Sequence, residues 1–179
     1  MFSSGRIALV GLVLGTLLSL PVFAAADQPK EVVPPAPIPS QILNARKVFV
    51  SNAGANLYTL PAYIASHTGS PNGLYDEFYA AIKNWGKYEL VSAPADADLV
   101  LEISLHARDY TRNYSADPQF ELKVIDPKTR TVLWAFVETV PAGSGREASR
   151  RKAWDVALEK LLNNFKIVAV PPPVADSQR

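Results

Sequence analysis

The sequence predicts a two-layer α/β (α+β) sandwich, a mixed sheet of about five strands with two helices on one face. Three observations carry this prediction. Leu99, Leu101, Ile103 and Leu105 alternate with Val100, Glu102, Ser104 and His106, and Phe120, Leu122 and Val124 alternate with Glu121 and Lys123, the period of strands with one buried face. Leu74, Phe78, Ile82 and Trp85 recur at helical spacing. A strand, a helix and a strand at the front imply a parallel crossover, whereas the later strands are joined by a hairpin turn. The expected order is β-α-β-β-β-β-α.

Residues 1–26 read as a signal peptide. Arg6 starts it, residues 7–20 are uncharged and mostly apolar, and Pro21 precedes the small run Ala24-Ala25-Ala26. The alternative is an uncleaved anchor, because residues 7–26 are nearly long enough to span a bilayer. Residues 27–43 form a Pro-rich linker, with Pro34, Pro35, Pro37 and Pro39 favouring extended polyproline II, a spacer or a segment for a proline-recognising partner. The single α/β domain is expected over 44–170 and a disordered C-terminal tail over 171–179.

Lys47-Val48-Phe49-Val50-Ser51 is β-branched and aromatic, the first strand. Residues 52–72, rich in glycine and proline and holding His67, read as a long loop pinned by Tyr58, Leu60, Tyr63 and Ile64. The first helix runs from Leu74 to Trp85, with Asn72 placed to cap its start and Gly86 placed for a left-handed end. Tyr88 to Val91 is the second strand, and Pro94 separates it from the third.

Leu99–Leu105 and Phe120–Ile125 are the third and fourth strands, separated by a polar loop. Asp126-Pro127-Lys128-Thr129 fits a type I turn, in which the carboxylate accepts from following amides and proline presets a dihedral. The fifth strand, Thr131 to Thr139, is apolar on both faces. Val132, Trp134 and Phe136 oppose Leu133, Ala135 and Val137, so it is expected to be covered on both sides or to pair outside the domain. The last helix, about Ala148 to Lys166, buries Trp154, Leu158, Leu161, Leu162 and Phe165. Arg146, Arg150, Arg151 and Lys152 crowd its start, where the helix dipole disfavours positive charge.

Composition narrows the function classes. The net charge is +1, and losing Arg6 with the leader leaves basic and acidic residues equal in number, so no global charge steers the chain to nucleic acid. With no cysteine, disulfides, thiol nucleophiles, cysteine-ligated zinc and lipidation at an N-terminal Cys are excluded. No catalytic, cofactor-binding or metal-binding residue is assigned, and no cofactor is expected. His67 and His106 stand apart without metal-ligand spacing, and solvated histidines explain both. Asp96 and Asp98 are two apart and able to reach one cation, yet an Asp before a strand is ordinarily a turn residue. Gly143-Ser144-Gly145-Arg146 before a helix suggests an anion site or a plain connection. Arg108, Tyr110, Arg112 and Tyr114 alternate along one loop, a patch for an acidic or glycan partner or a solvated edge.

The strand and helix order, with Lys47-Val48-Phe49-Val50, Ala95 to Ile103, and the hairpin at Asp126-Pro127-Lys128-Thr129 and Val132-Leu133-Trp134, resembles small α/β domains of exported bacterial accessory proteins. These include the TolB N-terminal domain and the curli-secretion and penicillin-binding-protein-activator lipoproteins. A large set of uncharacterised exported bacterial proteins looks similar along the same span, about Lys47 to Lys166, and the chain departs from the lipoproteins in lacking a lipidated Cys. The resemblance implies the fold and carries no active-site residue. The expected function is a non-catalytic exported binding or accessory protein of the bacterial cell envelope, periplasmic or secreted. It meets a protein or envelope polymer, with no nucleic acid and no membrane span after signal cleavage. The alternative is an envelope-polymer hydrolase built around His67, His106, Asp96 and Asp98.

Overall fold

A computed structural model describes residues 36–55, 60–107, 118–141 and 146–171. The elements run α1 (Ser40–Asn44), β1 (Lys47–Ala55), α2 (Leu60–Thr68), α3 (Gly73–Trp85), β2 (Glu89–Leu90), a 3-10 turn (Pro94–Asp96), β3 (Leu99–Ala107), β4 (Pro118–Ile125), β5 (Val132–Thr139) and α4 (Glu147–Ala169). The sheet order is β2-β1-β3-β4-β5. β1 is parallel to β2 and β3, and the remaining pairings are antiparallel, so the sheet is mixed as expected.

One side of this sheet holds the core. Val48 and Val50, Leu99 to Leu105 at alternate positions, Phe120, Leu122, Val124 and Phe136 face it and are buried. Ile42, Ile64, Phe78, Ile82, Trp154 and Phe165 meet them from the four described helices in a single apolar cluster. α3 ends where expected, with Gly86 at φ 70° donating its N–H to the Ile82 carbonyl, a left-handed position that glycine takes without steric cost. Of the three tryptophans, Trp154 is fully buried, and Trp85 and Trp134 pack partly buried against the core.

Several expectations are corrected. Residues 40–43 are not linker but part of α1. Pro39 presets φ at −57° before the first turn, and Ile42 is fully buried. The long loop expected over 52–72 instead contains the end of β1 and all of α2. Pro61 does not break α2, because at the second position of a helix proline removes no intrahelical bond. Gly69, at φ 80°, closes α2 with its N–H on the Ala65 carbonyl, and Ile64 is buried. Asn72 gives no side-chain cap to α3, because its Oδ1 accepts from Asn52 Nδ2 at 3.4 Å. The second strand shortens to Glu89–Leu90, although Val91 still donates to the Val48 carbonyl.

The hairpin turn is longer than a four-residue type I turn. Lys128 N–H and Thr129 Oγ1 do donate to the Asp126 carboxylate, but the Arg130 N–H reaches the Asp126 carbonyl and Arg130 sits at φ 60°. β5 is not covered on both sides by anything described. Trp134, Phe136 and Glu138 face the helices, while Ala135 and Val137 lie exposed on the opposite, outer face. The signal-peptide residues, most of the linker, the Arg108–Tyr114 patch, residues 143–145 and the tail beyond Pro171 lie outside the described residues.

Tyr88 is buried beside Trp85 and Phe165, and its hydroxyl has no hydrogen-bond partner among the described residues. Burial disfavours the phenolate and pushes the Tyr88 pKa up to about 12. The folded state therefore holds a proton that the unfolded chain releases near pH 10. Stability from this group is whole below pH 10 and is lost as pH rises toward about 12. Tyr88→Phe removes the orphaned hydroxyl and is expected to raise stability at pH 7 by about 1 kcal/mol. Urea unfolding at pH 7 and pH 11 checks this, with the alkaline loss smaller in the variant.

Candidate functional site

The titratable residues singled out in the sequence do not converge. Asp96 lies in the 3-10 turn and Asp98 at the foot of β3, whereas His106 is at the far end of β3, about 25 Å away at the ordinary strand rise. His67 ends α2 in the helical layer, and His106 faces the outer side of the sheet. The four-residue constellation of the hydrolase reading is thus dispersed over both sides and both ends of the sheet.

Asp98 and both histidines have structural partners instead, while Asp96 stands exposed in its turn. Asp98 Oδ2 accepts the backbone N–H groups of Arg46 and Lys47, both at 2.9 Å, which ties the start of β3 to the start of β1. Those two amides, aided by nearby lysines, hold the Asp98 carboxyl below its usual range. The His67 ring stacks on Trp154 at 5.3 Å and lies tilted against Tyr63 at 4.3 Å, and its Nδ1 meets the Tyr63 carbonyl at 2.8 Å. His67 is therefore a helix-end packing residue rather than a solvated loop histidine.

His106 does meet a carboxylate, though not one the sequence suggested. Its Nε2 lies 2.8 Å from Glu121 Oε2 and 2.8 Å from Ser104 Oγ. Serine, histidine and glutamate in contact suggest a catalytic relay, but the geometry forbids one. A relay sets the nucleophile on one ring nitrogen and the acid on the other, so that one orients the ring while the other exchanges the proton. Here both oxygens share a single nitrogen, and Ser104 is only 4% exposed. Lys123 extends the group, reaching Glu121 at 3.3 Å and Glu102 at 3.7 Å. The result is a cross-strand brace over β3 and β4. The sequence shows these residues on the outer face, but pairing Ser104 with Glu121 needs the register of a long hairpin, which alternation does not supply.

A second network binds the helices. Trp154 Nε1 donates to Glu77 Oε2 at 2.8 Å. Arg151 pairs with Glu77 at 2.7 Å and with Asp155 at 2.9 Å, and it donates to the carbonyl of His67 at 2.8 Å. This accounts for one basic residue at the start of α4: Arg151 closes the C-terminal end of α2 and neutralises a carboxylate of α3. A shallow groove of about 430 Å³ runs from this network between α3 and α4, floored by Ala80, Ala81, Leu158 and Leu162.

No family model matches the chain, and no curated protein does. Solved structures give likenesses only. The PelC dodecamer from Paraburkholderia phytofirmans shares 17% identity over 67% of this chain and 86% of that one, with a TM-score of 0.41. A putative neuraminyllactose-binding hemagglutinin homolog from Helicobacter pylori shares 12% over 69% and 86%, with a TM-score of 0.43. Lipoprotein GNA1162 from Neisseria meningitidis shares 12% over 66% and 99%, with a TM-score of 0.36. Likenesses at this level carry nothing about the role of this chain. The TolB and curli-secretion resemblance gains no support from them.

Among the described residues, the outer side of β5 is an exposed apolar surface. Val132 is 48% and Val137 54% exposed, and Ala135 is exposed beside them. Among the described residues, no helix is long and apolar enough to cross a membrane.

Two outcomes test the structural reading of these networks. Glu77→Leu leaves the buried Trp154 N–H without its acceptor and removes one of the carboxylates that meet Arg151, and is expected to cost about 2–3 kcal/mol in urea unfolding. Asp98→Ala is expected to speed hydrogen exchange at the Arg46 and Lys47 amides. In the wild type the same protection falls as acid protonates the depressed carboxylate, because its contribution is present above the ordinary aspartate range and lost as pH drops below it.

Proposed function

We propose that this chain is a non-catalytic exported protein of the bacterial cell envelope, periplasmic or secreted, that works by surface contact. The observation that carries the reading is the apolar outer side of β5, where Val132, Ala135 and Val137 stand exposed on the face of the sheet that no described helix covers. Large exposed apolar side chains gathered on one element mark contact surfaces more often than scattered ones do. The leader-like residues 1–26, the Pro-rich arm and the absence of cysteine are compatible with an exported protein carried on a spacer. His67, His106, Asp96 and Asp98 lie apart, and Asp98 and both histidines are engaged by internal partners, so the hydrolase reading is left without a site and is not carried further.

Replacing Val137 with lysine puts a charge at the centre of the surface while leaving the buried face of β5 intact. In chemical cross-linking of intact cells, the wild type is expected to form a defined adduct and Val137→Lys to lose most of it, with His106→Gln behaving as wild type. An adduct that survives Val137→Lys, or that disappears with His106→Gln alone, would count against contact through β5.

A further inference from the structure

The two edges of the sheet differ in kind. β2 is two residues long, and its Glu89 pairs with Lys47 while Lys87 lies just before it. Short length and charge are the usual devices that keep an edge from pairing with another chain. β5 has eight residues, Val132–Thr139, with no proline and no lysine, and Glu138 is its one charge. That charge points to the helical side and is met by Lys160 of α4 at 3.5 Å. A bulge disturbs the β5 ladder near Val132, leaving Trp134–Thr139 regular.

The direction of the free backbone groups is set by the ladder. Val140 donates to the Pro118 carbonyl at 2.7 Å, and the register continues as Phe120–Glu138, Leu122–Phe136 and Val124–Trp134. Hydrogen-bonded pairs alternate with non-hydrogen-bonded ones in an antiparallel ladder, so these even-numbered residues bond inward to β4. Ala135, Val137 and Thr139 therefore aim their N–H and C=O groups away from the sheet. Next to this edge, the α4 stripe containing Lys160 also carries Val156, 40% exposed, and Ile167, 60% exposed.

We propose that the β5 edge pairs with the β5 edge of a second copy of this chain, in antiparallel register about a two-fold axis at Phe136, making a ten-stranded sheet. The strand is complementary to itself, as an isologous interface requires. With the axis at Phe136, the hydrogen-bonded pairs are Ala135 with Val137 of the second copy and the reverse. Phe136 meets its own counterpart on the helical face, and Trp134 lies beside Glu138 of the second copy. No like charges are opposed, and no charge on the edge selects a charged partner instead. The same axis brings the two α4 flanks together over the junction, where Val156 and Ile167 lose their exposure to water. This rests on β5 being the contact surface proposed above and specifies its occupant.

Sedimentation equilibrium on the purified full chain is expected to give twice the protomer mass, and Val137→Lys to weaken association about tenfold or more. The chain has no cysteine, so single thiols report the register. An oxidised equimolar mixture of Ala135→Cys and Val137→Cys chains is expected to cross-link more than either chain alone. A wild type of protomer mass throughout, a Val137→Lys variant that associates like the wild type, or cross-linking strongest within Ala135→Cys alone would each overturn the pairing. Circular dichroism melting of Val137→Lys confirms that a loss of mass is not a loss of fold. If the wild type is a protomer while Val137→Lys still loses the adduct in cells, the self-pairing fails and the contact surface stands. If Val137→Lys changes neither measurement, both fail.

Discussion

Burying the Trp154 indole imposes a condition that the rest of the helical layer satisfies. The side chain is fully buried against Phe120 and the His67 ring, so its N–H has no access to water. An orphaned donor at such a place costs about 1–3 kcal/mol, and the Glu77 carboxylate removes that cost. A carboxylate brought toward the interior needs a counter-charge in turn, which Arg151 provides one helical turn before Trp154. Arg151 then has donors to spare and reaches the carbonyl of His67, closing the end of α2. One buried ring therefore fixes α2, α3 and α4 with respect to each other. The basic start of α4, unfavourable to its own dipole, is intelligible as the source of that arginine.

With all the described helices held on one side, the other side of the sheet must manage its polar residues alone. It does so by pairing across strands. Glu102, Lys123, Glu121, His106 and Ser104 form one connected row over β3 and β4, and each charge there has an opposite neighbour within reach. Phe49, Val100 and Ile125 line up laterally and are half-buried by one another's width. This is cross-strand stabilisation of the ordinary kind, worth a few tenths to about 1 kcal/mol per pair. It stops at β5, which among the described residues has no further strand to lean on.

How much the sequence disclosed depends on how local each signal is. The alternation of β3 and β4, the stripes of α3 and α4, Gly86 and the Asp126 turn depend on neighbours a few residues apart, and all appear in the fold. α2 is hidden because Pro61 and the glycines around it resemble a loop, whereas Ile64 reveals a buried face only once α3 and α4 lie against it. α1 has a single fully buried residue, Ile42, too little for any period to show. The pairings that decide the candidate sites, Glu77 with Arg151 and His106 with Glu121, join residues far apart in the chain. No spacing rule reaches them. Partners distant in sequence likewise engage Asp98 and His67, which look available from sequence.

The same accounting isolates β5. Recognition by charge requires unmatched charge, and on the outer face of β3 and β4 the ionic groups are matched internally. Recognition by an apolar pocket requires concavity, and the groove between α3 and α4 is shallow and rimmed by Glu77, Arg151 and Asp155, which already hold one another. An open strand edge requires neither. Among the described residues its outward backbone groups meet no further strand, and its side chains Val132, Ala135 and Val137 present no charge to desolvate when another strand arrives. Main-chain pairing is therefore the mode of contact for which this surface carries the lowest opposing cost. The bulge near Val132 limits that contact to the regular stretch from Trp134, enough for a short antiparallel ladder and too little for unlimited stacking of a flat edge.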